Sequence, residues 1–337
     1  MKVLHNFSLK NYNTFGIDVK AKTFISVESL EDLRTALQKN YAEDLFILGG
    51  GSNMLLTRDI DTTVLHVGLK GKQIIKENEE EVLIEISAGE NWHETVLWTL
   101  SNNWGGFENL SLIPGNIGTA PIQNIGAYGT EIRDTLVSLK AIDIQTLEVR
   151  EFSNEDCQFG YRDSIFKNKV KGKFIIISVT FRLTKKDHKI KTNYGTIQQA
   201  LVEIGVTTAT ISDVSNAVIK IRKEKLPDPS ELGNSGSFFK NPVINSGHLK
   251  DLQKHFPDMP FFDVGNNEFK IPAGWLIEKA GLKGYRVGDA GVHKNQALVL
   301  VNYGNATGRE ILDLAKKVQY EVYTKFRIAL QAEVNIF

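Results

Sequence analysis

The sequence predicts an α+β protein of more than one domain, and three observations carry that expectation. Helix and strand signals alternate up to about residue 69. Strands of period two surround a long uncharged, glycine-rich segment in the middle of the chain. The last third returns to amphipathic helices separated by short apolar strands. A length of 337 residues agrees, because domains run at roughly 150 residues each.

Taken in order, "ESLEDLRTALQKN" places Leu30, Leu33 and Leu37 on one helical face. "DLFILGGGSNMLL" follows as a buried strand breaking into a glycine turn, and "TVLHV" is a second strand. Residues 1–69 therefore read as a small α/β unit. "EVLIEIS" alternates apolar and polar positions, and "ENWHETVLWTL" continues it as a helix. "VSLKAIDIQTLEVREF" reads as a hairpin, and "KFIIISVTFRL" as a strand whose second half alternates. These make residues 70–205 a larger α+β domain.

A third domain, 206–337, opens near the helix "ISDVSNAVIKIRKEKLPDP", whose apolar face is Ile211, Val214, Val218 and Ile221. Pro227 and Pro229 stop it. "IPAGWLIEKAGLKG" reads as a short helix with Pro272 at its start. "QALVLVN" is a buried strand, "GREILDLAKKVQYEVYTKF" a long amphipathic helix, and "LQAEVNIF" a closing strand that contains Glu333.

Composition narrows the function classes. Apolar residues make up 42% of the chain, enough for sizeable cores. Basic and acidic residues balance at 40 each, so no basic excess points to nucleic acid or an anionic membrane. A single cysteine, Cys157, rules out an internal disulfide and suits a reducing compartment. The first residues lack the apolar core of a signal peptide, so the expected location is cytoplasmic.

The segment "SLIPGNIGTAPIQNIGAYG", residues 111–129, raises the functional question, because no charge occurs from Asn109 to Thr130 in a chain that is 24% charged. Pro114, Pro121 and the amides exclude a membrane span. Leu110, Leu112, Ile113, Ile117, Ile122 and Ile125 are too apolar for a solvated linker. An ordered loop whose backbone N–H groups approach a large ligand remains, with glycine permitting the approach. "LGGGSN", residues 48–53, is a second such turn. It is not a Rossmann fingerprint: Met54 stands at the third glycine position, and no acid occurs at Lys70 or Gly71. Alone it reads equally as a tight turn or a pyrophosphate loop, and two such loops could hold one extended cofactor between them.

Individual side chains keep two readings at this level. Arg162, in "FGYRDSIFK", is either a surface pair with Asp163 or a functional cation. Ser237, in "GNSGSFFKNP", is either a turn residue or a proton donor, and no nucleophile elbow surrounds it. Lys225 ends a helix, where a cation is favoured in any case. Glu333 is either a solvent-facing carboxylate or catalytic. The seven histidines show no metal-ligand spacing, so no metal is expected, and His293 reads as structural.

In combination, "NTFGI", "LGGGSNMLL", "GENWH", "GFENLSLIPGNIGTAPIQNIGAYG", "FGYRDSIFK", "KLPDP", "GSFFKNP" and "PAGWLIEKAGLKG" resemble the UDP-N-acetylenolpyruvoylglucosamine reductase (MurB) family. The likeness runs in order from about Asn13 to Glu333, and "TNYGT" with Tyr194 resembles the type whose tyrosine loop covers the substrate. Asn116, Thr119 and the Gln331–Ala332 pair are small departures from the pattern.

The resemblance implies an FAD-binding fold of the vanillyl-alcohol-oxidase (PCMH) kind. Two subdomains, 1–69 and 70–205, would hold the flavin, with the PCMH-type region at about 17–188. A C-terminal α+β domain would bind substrate, its last strand free to return to the flavin-binding part. Non-covalent FAD would lie on Gly49, Gly50, Gly51, Ser52 and Asn53 of the first turn. In the neutral segment it would meet Pro114, Gly115, Gly118, Thr119, Gln123, Asn124, Gly126, Ala127 and Tyr128.

By the same resemblance NADPH is the hydride donor and a UDP-sugar enolpyruvyl ether the substrate. Arg162, Ser237 and Glu333 are catalytic, and Tyr194, Lys225, Asn241 and Gln296 bind the UDP portion. A monomer without nucleic-acid or membrane partners is expected. Two rival readings stay open on the sequence: a flavin-dependent alcohol or lactone oxidase of similar fold, and a flavin-binding module without turnover.

Overall fold

The structure, a computed structural model, describes residues 1–38, 45–194 and 196–337. Lys39 and Asn40 of the first helical stretch, Asp44 of the strand stretch after it, and Gly195 of "TNYGT" lie outside the described residues. The chain divides into two compact units. The first comprises Met1–Phe7, Ala21–Gly50 and Ile60–Glu224, the second Ser8–Lys20, Gly51–Asp59 and Lys225–Phe337. Compactness thus groups the residues differently from the ranges 1–69, 70–205 and 206–337.

The first unit is built on a four-stranded and a five-stranded sheet. A four-stranded sheet runs in the order Lys2–Ser8, Lys20–Val27, Ile60–Val67, Leu45–Leu48. The last three strands are parallel, so each link between them needs a crossover, and helix α1 (Leu30–Gln38) supplies one. Its Leu33, Ala36 and Leu37 pack on Ile25, Val27, Leu65 and Val67. The Leu45–Leu48 strand lies at the edge of this sheet, and Ile47 is exposed. Its expected full burial is corrected accordingly: an edge strand has a neighbour on one side only.

The second sheet is antiparallel, in the order Val149–Ser153, Leu136–Asp143, Phe174–Thr184, Glu81–Ser87, Lys72–Glu77. The expected hairpin is its first pair. Val82, Ile84 and Ile86 alternate toward helix α2 (Trp92–Ser101), whose N-terminus is capped by the Asn91 side chain accepting from Glu94 N–H at 3.0 Å. The central strand explains why its sequence alternates only in part. Ile175 and Ile177 enter the core of α1, whereas Val179, Phe181 and Leu183 enter that of α2. A strand buried on both faces has no polar side to display. Trp92, Phe107 and Phe181 meet with ring centroids 4.9–6.2 Å apart.

Helices α3 (Ile197–Glu203) and α4 (Ile211–Lys225) form a small core from Ile197, Ala200, Leu201, Val214, Ala217, Val218 and Ile221. Tyr128 of the neutral segment packs against that core.

The second unit has a four-stranded antiparallel sheet, Gly233–Ser237, Val299–Asn302, Ala290–Val292 and Arg286–Val287. A smaller sheet joins Val243–Asn245, Glu268–Lys270 and Phe262–Gly265. Helices α5 (Ser246–His255), α6 (Ala273–Lys279) and α7 (Gly308–Phe326) complete it. The bounds of α7 are those expected from sequence. A capping box of Thr307 and Glu310 starts it, and Ile311, Leu314, Ala315, Val318, Val322 and Phe326 form its buried face. Asn335–Ile336 pairs in parallel with Met54–Leu55. The closing strand is therefore shorter than expected, and Glu333 lies outside it.

Candidate active site

The glycine turn begins where the Leu45–Leu48 strand ends. Within the first unit it closes on the neutral segment. A Cβ on Gly49 would collide with the Thr119 methyl, and one on Gly50 would lie 2.9 Å from both Gly115 Cα and Asn116 Oδ1. The two loops can approach this closely only because neither glycine carries a side chain. In the second unit, Gly51 has φ +61° and backs onto the Tyr12 carbonyl, while Thr14 N–H donates to Gly51 O at 3.1 Å. This accounts for "NTFGI": Asn13 bonds Leu9 O, Ile17 O and Ile17 N–H, and so braces the turn from below.

The neutral segment is ordered by short 3-10 turns at Ile117–Thr119 and Pro121–Gln123 and by a two-residue hairpin, Gly126–Ala127 with Thr130–Glu131. Several of its backbone groups are used within the protein. Trp92 N–H donates to Gly115 O at 3.0 Å, and Gly118 N–H to Ala88 O at 2.9 Å. Leu112, Asn124 and Tyr128 are left-handed at φ +59°, +44° and +50°, a conformation that non-glycine residues keep only when surroundings enforce it.

The enforcing contacts can be named. His93 of α2 accepts Leu112 N–H at Nδ1, 3.0 Å away, so its proton sits on Nε2. Burial first, then the charges of Arg222 and Lys223, hold His93 below its ordinary pKa and keep it neutral, as that bond requires. Asn109 donates to Tyr128 O at 3.1 Å, and buried Ser111 meets Ser215 of α4 at 2.8 Å. Asn124 donates to Glu131 Oε2 at 2.9 Å and Gly160 O at 3.0 Å. Both of its side-chain hydrogens are thereby used, and its Oδ1 accepts from Arg133 N–H at 3.3 Å.

Arg162 is joined to this segment. Its Nη2 donates to Gly126 O at 2.8 Å, and its backbone is left-handed at φ +54° within the Gly160–Asp163 turn. The carboxylate of Asp163 accepts from Asn168 at 2.7 and 2.9 Å. Tyr194 is exposed, with its ring edge-on to Tyr128 at 6.5 Å and its Cβ beside Gly129.

Ser237 and Glu333 belong to the second unit, and the backbone holds their segments together. Glu333 N–H donates to Phe238 O at 2.8 Å, and Lys240 N–H to Gln331 O at 2.9 Å, around a bridge between Phe239 and Ala332. Gly236, at φ +67°, turns the chain into Ser237. Asn53 of the glycine turn reaches the Glu333 carbonyl at 3.5 Å, and Asn335 donates to Asn53 O at 3.0 Å. Asn241 and Gln296 converge on the first turn of α6. Asn241 Oδ1 accepts Ala273 N–H at 2.9 Å, and Gln296 Oε1 is 3.2 Å from the position of a Gly274 Cβ. Lys225 is the exposed last residue of α4.

Sequence reasoning missed Arg222. Its Nε is sealed from solvent and has no hydrogen-bond partner. Burial, chiefly, and the neighbouring Arg162 charge push its guanidinium below the ordinary value, with Tyr128 pulling the other way. A signal was present: Arg222 falls four residues after Val218, on the apolar face of α4. Cys157 is buried in the core with its thiol pushed up to about 12, mainly by burial, so it is an inert side chain. Among the described residues no group of three His, Cys, Asp or Glu is placed to hold a metal, and no helix is long and apolar enough to cross a membrane.

Two bare backbone loops in contact, with the Arg162 guanidinium bonded to one of them, suit a dinucleotide. A family profile described as "FAD binding domain" matches residues 21–153, which defines the protein as a flavoprotein. A second, the C-terminal domain of UDP-N-acetylenolpyruvoylglucosamine reductase, matches 228–337. A reductase of that name from Flavobacterium johnsoniae is 62% identical over 336 residues, covering 100% of both chains. One from Pseudomonas putida is 48% identical over 332 residues, covering 98% of this chain and 97% of its own. The chain belongs to the UDP-N-acetylenolpyruvoylglucosamine reductase family. The crystal structure of the Thermus caldophilus member has the same fold, with a TM-score of 0.67 at 23% identity and coverage of 100% and 98%. The α+β architecture of a flavin-binding part plus a C-terminal domain is thus borne out, and the reductase reading is favoured over the oxidase.

Proposed function

We propose that Arg162, Ser237 and Glu333 are the catalytic side chains of this flavoenzyme, which reduces the enolpyruvyl ether of UDP-N-acetylglucosamine to UDP-N-acetylmuramate for peptidoglycan. FAD, when bound, carries hydride from NADPH to the terminal vinyl carbon of the substrate. Negative charge then develops at the adjacent carbon and its carboxylate, where a fixed cation is most effective. Arg162 supplies that cation, oriented through Nη2 on Gly126 O. Ser237 delivers the proton to the adjacent carbon, and Glu333 assists as a hydrogen-bonding partner. Gly49–Asn53 and the neutral segment, Pro114 to Tyr128, hold the cofactor through their backbone. Tyr194, Lys225, Asn241 and Gln296 hold the UDP portion, with Lys225 as a point charge on the diphosphate.

The observation that carries this reading is the Glu333–Phe238 bond. It joins the backbone segments that carry Glu333 and Ser237, and the Asn53 amide donates to the Glu333 carbonyl at 3.5 Å. The fit of FAD is supported by the contact between Gly50 and Gly115, which a single Cβ would break. In the same reading the ranges 1–69 and 70–205 serve the flavin and 206–337 the substrate, and the enzyme is a cytoplasmic monomer. Anaerobic stopped-flow of the two half-reactions tests the assignment. Purified protein should bleach with NADPH and recover its yellow colour with the UDP-sugar enolpyruvyl ether. Recovery with oxygen alone, indifferent to the UDP-sugar, would overturn it.

A further inference from the structure

The run "GENWH", residues 89–93, has no part in the proposed chemistry, yet the neutral segment hangs along it. Gly118 N–H donates to Ala88 O at 2.9 Å, Ile117 N–H to Glu90 O at 2.9 Å, and Trp92 N–H to Gly115 O at 3.0 Å. The Trp92 indole donates to Leu110 O at 2.9 Å. The fifth contact is His93, whose Nδ1 accepts Leu112 N–H at 3.0 Å. Four of these five acceptors are main-chain carbonyls, which do not titrate near neutral pH, and the His93 ring is the one that can take a proton.

Leu112 depends on that bond. Its backbone is left-handed at φ +59°, which a branched side chain keeps only when its surroundings hold it there. Pro114 and Gly115 follow at once, and Gly115 Cα is the atom 2.9 Å from the position of a Gly50 Cβ. The direction in which the chain leaves Leu112 therefore decides whether the neutral segment meets the glycine turn. A protonated His93 would set an N–H at Nδ1 against Leu112 N–H, donor against donor, and the contact would be lost. Burial, then Arg222 and Lys223 of α4, oppose that proton, while Glu94 of α2 favours it and the neutral segment carries no charge.

We infer that His93 is a positioning residue for the cofactor: its unprotonated Nδ1 fixes the turn at Leu112, so FAD is held tightly only while the ring is neutral. The inference rests on the reading that the neutral segment holds FAD. Binding of FAD and protonation of His93 then oppose one another by linkage. FAD affinity is full while the ring is neutral and falls as pH drops through the range in which it takes up its proton. That range lies below the ordinary value of 6.5.

The test measures FAD affinity of the holoprotein from the flavin released on dilution, read by its fluorescence. It is run from about pH 8 to about pH 5 in wild type, His93→Asn and His93→Leu. An Asn amide can set its oxygen close to the place of Nδ1 and does not titrate, whereas Leu offers no acceptor. Near neutral pH His93→Asn should match wild type. Toward the acid end wild type should lose at least about threefold in affinity relative to His93→Asn, because release of FAD takes up a proton. His93→Leu should bind FAD at least about fivefold more weakly at every pH, since Leu112 N–H is left stranded. Equal acid profiles in wild type and His93→Asn overturn the inference, and so does wild-type affinity in His93→Leu. Should His93→Leu not fold, the profiles of wild type and His93→Asn decide alone. Gly50→Ala separates this inference from its parent. If Gly50→Ala weakens FAD binding and His93→Leu does not, only the role of His93 falls. If both hold FAD as wild type does, the neutral segment is not the cradle and the parent reading falls with it.

Discussion

The backbone N–H of Glu333 donates to the carbonyl of Phe238 at 2.8 Å, so a residue near the end of the chain is fixed beside Ser237 by main-chain geometry alone. Because the bond involves no side chain, Ser237 and Glu333 can be altered singly without releasing the segments. Ser237→Ala should leave reduction of FAD by NADPH near wild type and slow reoxidation by the enolpyruvyl substrate by roughly 10²–10⁴-fold. Stopped-flow absorbance checks this, and equal slowing of both halves would remove Ser237 from proton delivery.

Gly50→Ala should force the glycine turn away from Gly115 and Asn116, since the new methyl would sit 2.9 Å from backbone. Overpacking of this kind costs about 1–3 kcal/mol. The expected result is at least about tenfold weaker FAD retention, read from the flavin-to-protein ratio and from titration of the apoprotein. A variant holding FAD as tightly as wild type would contradict the closed-loop cradle.

Asn124→Ala should loosen Arg162 indirectly. The amide links the neutral segment to Gly160 O, and its left-handed backbone at φ +44° tolerates alanine poorly. Losing these bonds in a buried site should cost about 1–3 kcal/mol, visible as a lower Tm. The substrate half-reaction should suffer more than flavin reduction. Unchanged stability would mean the strut is dispensable.

Acid sensitivity should come first from histidine. His66, His93 and His293 are all held below the ordinary value of 6.5, chiefly by burial. In the window between that value and their lower folded values, the unfolded chain binds more protons than the folded one. Stability contributed by the neutral rings is therefore full above about 6.5 and is lost as pH falls through the window. Calorimetric Tm values across mildly acidic pH should decline, and His93→Gln should flatten part of the decline. A Tm that rises on mild acidification would reverse the sign.

Legibility followed the range of each interaction. Helix α7 was readable because its cap and its face are local in sequence. The neutral segment stood out because a run without charge is visible without coordinates. The Phe174–Thr184 strand was readable only in part, since Ile175, Ile176 and Ile177 are shared between two cores and only Val179, Phe181 and Leu183 keep one-sided alternation. Glu333 was placed in a strand, yet its environment is a bend fixed by Phe238, almost a hundred residues away in sequence. Arg222 was hidden by habit, because a charge in a helix ordinarily reads as solvent-facing.

The pairing of Asn335–Ile336 with Met54–Leu55 also bears on biosynthesis. All segments of the first unit have emerged from the ribosome once Glu224 is clear, and they can fold while translation continues. Met54–Leu55, made early, must wait for Asn335–Ile336 before that pairing can form. A nascent chain that stops after Glu224 would therefore leave Met54–Leu55 without its strand partner.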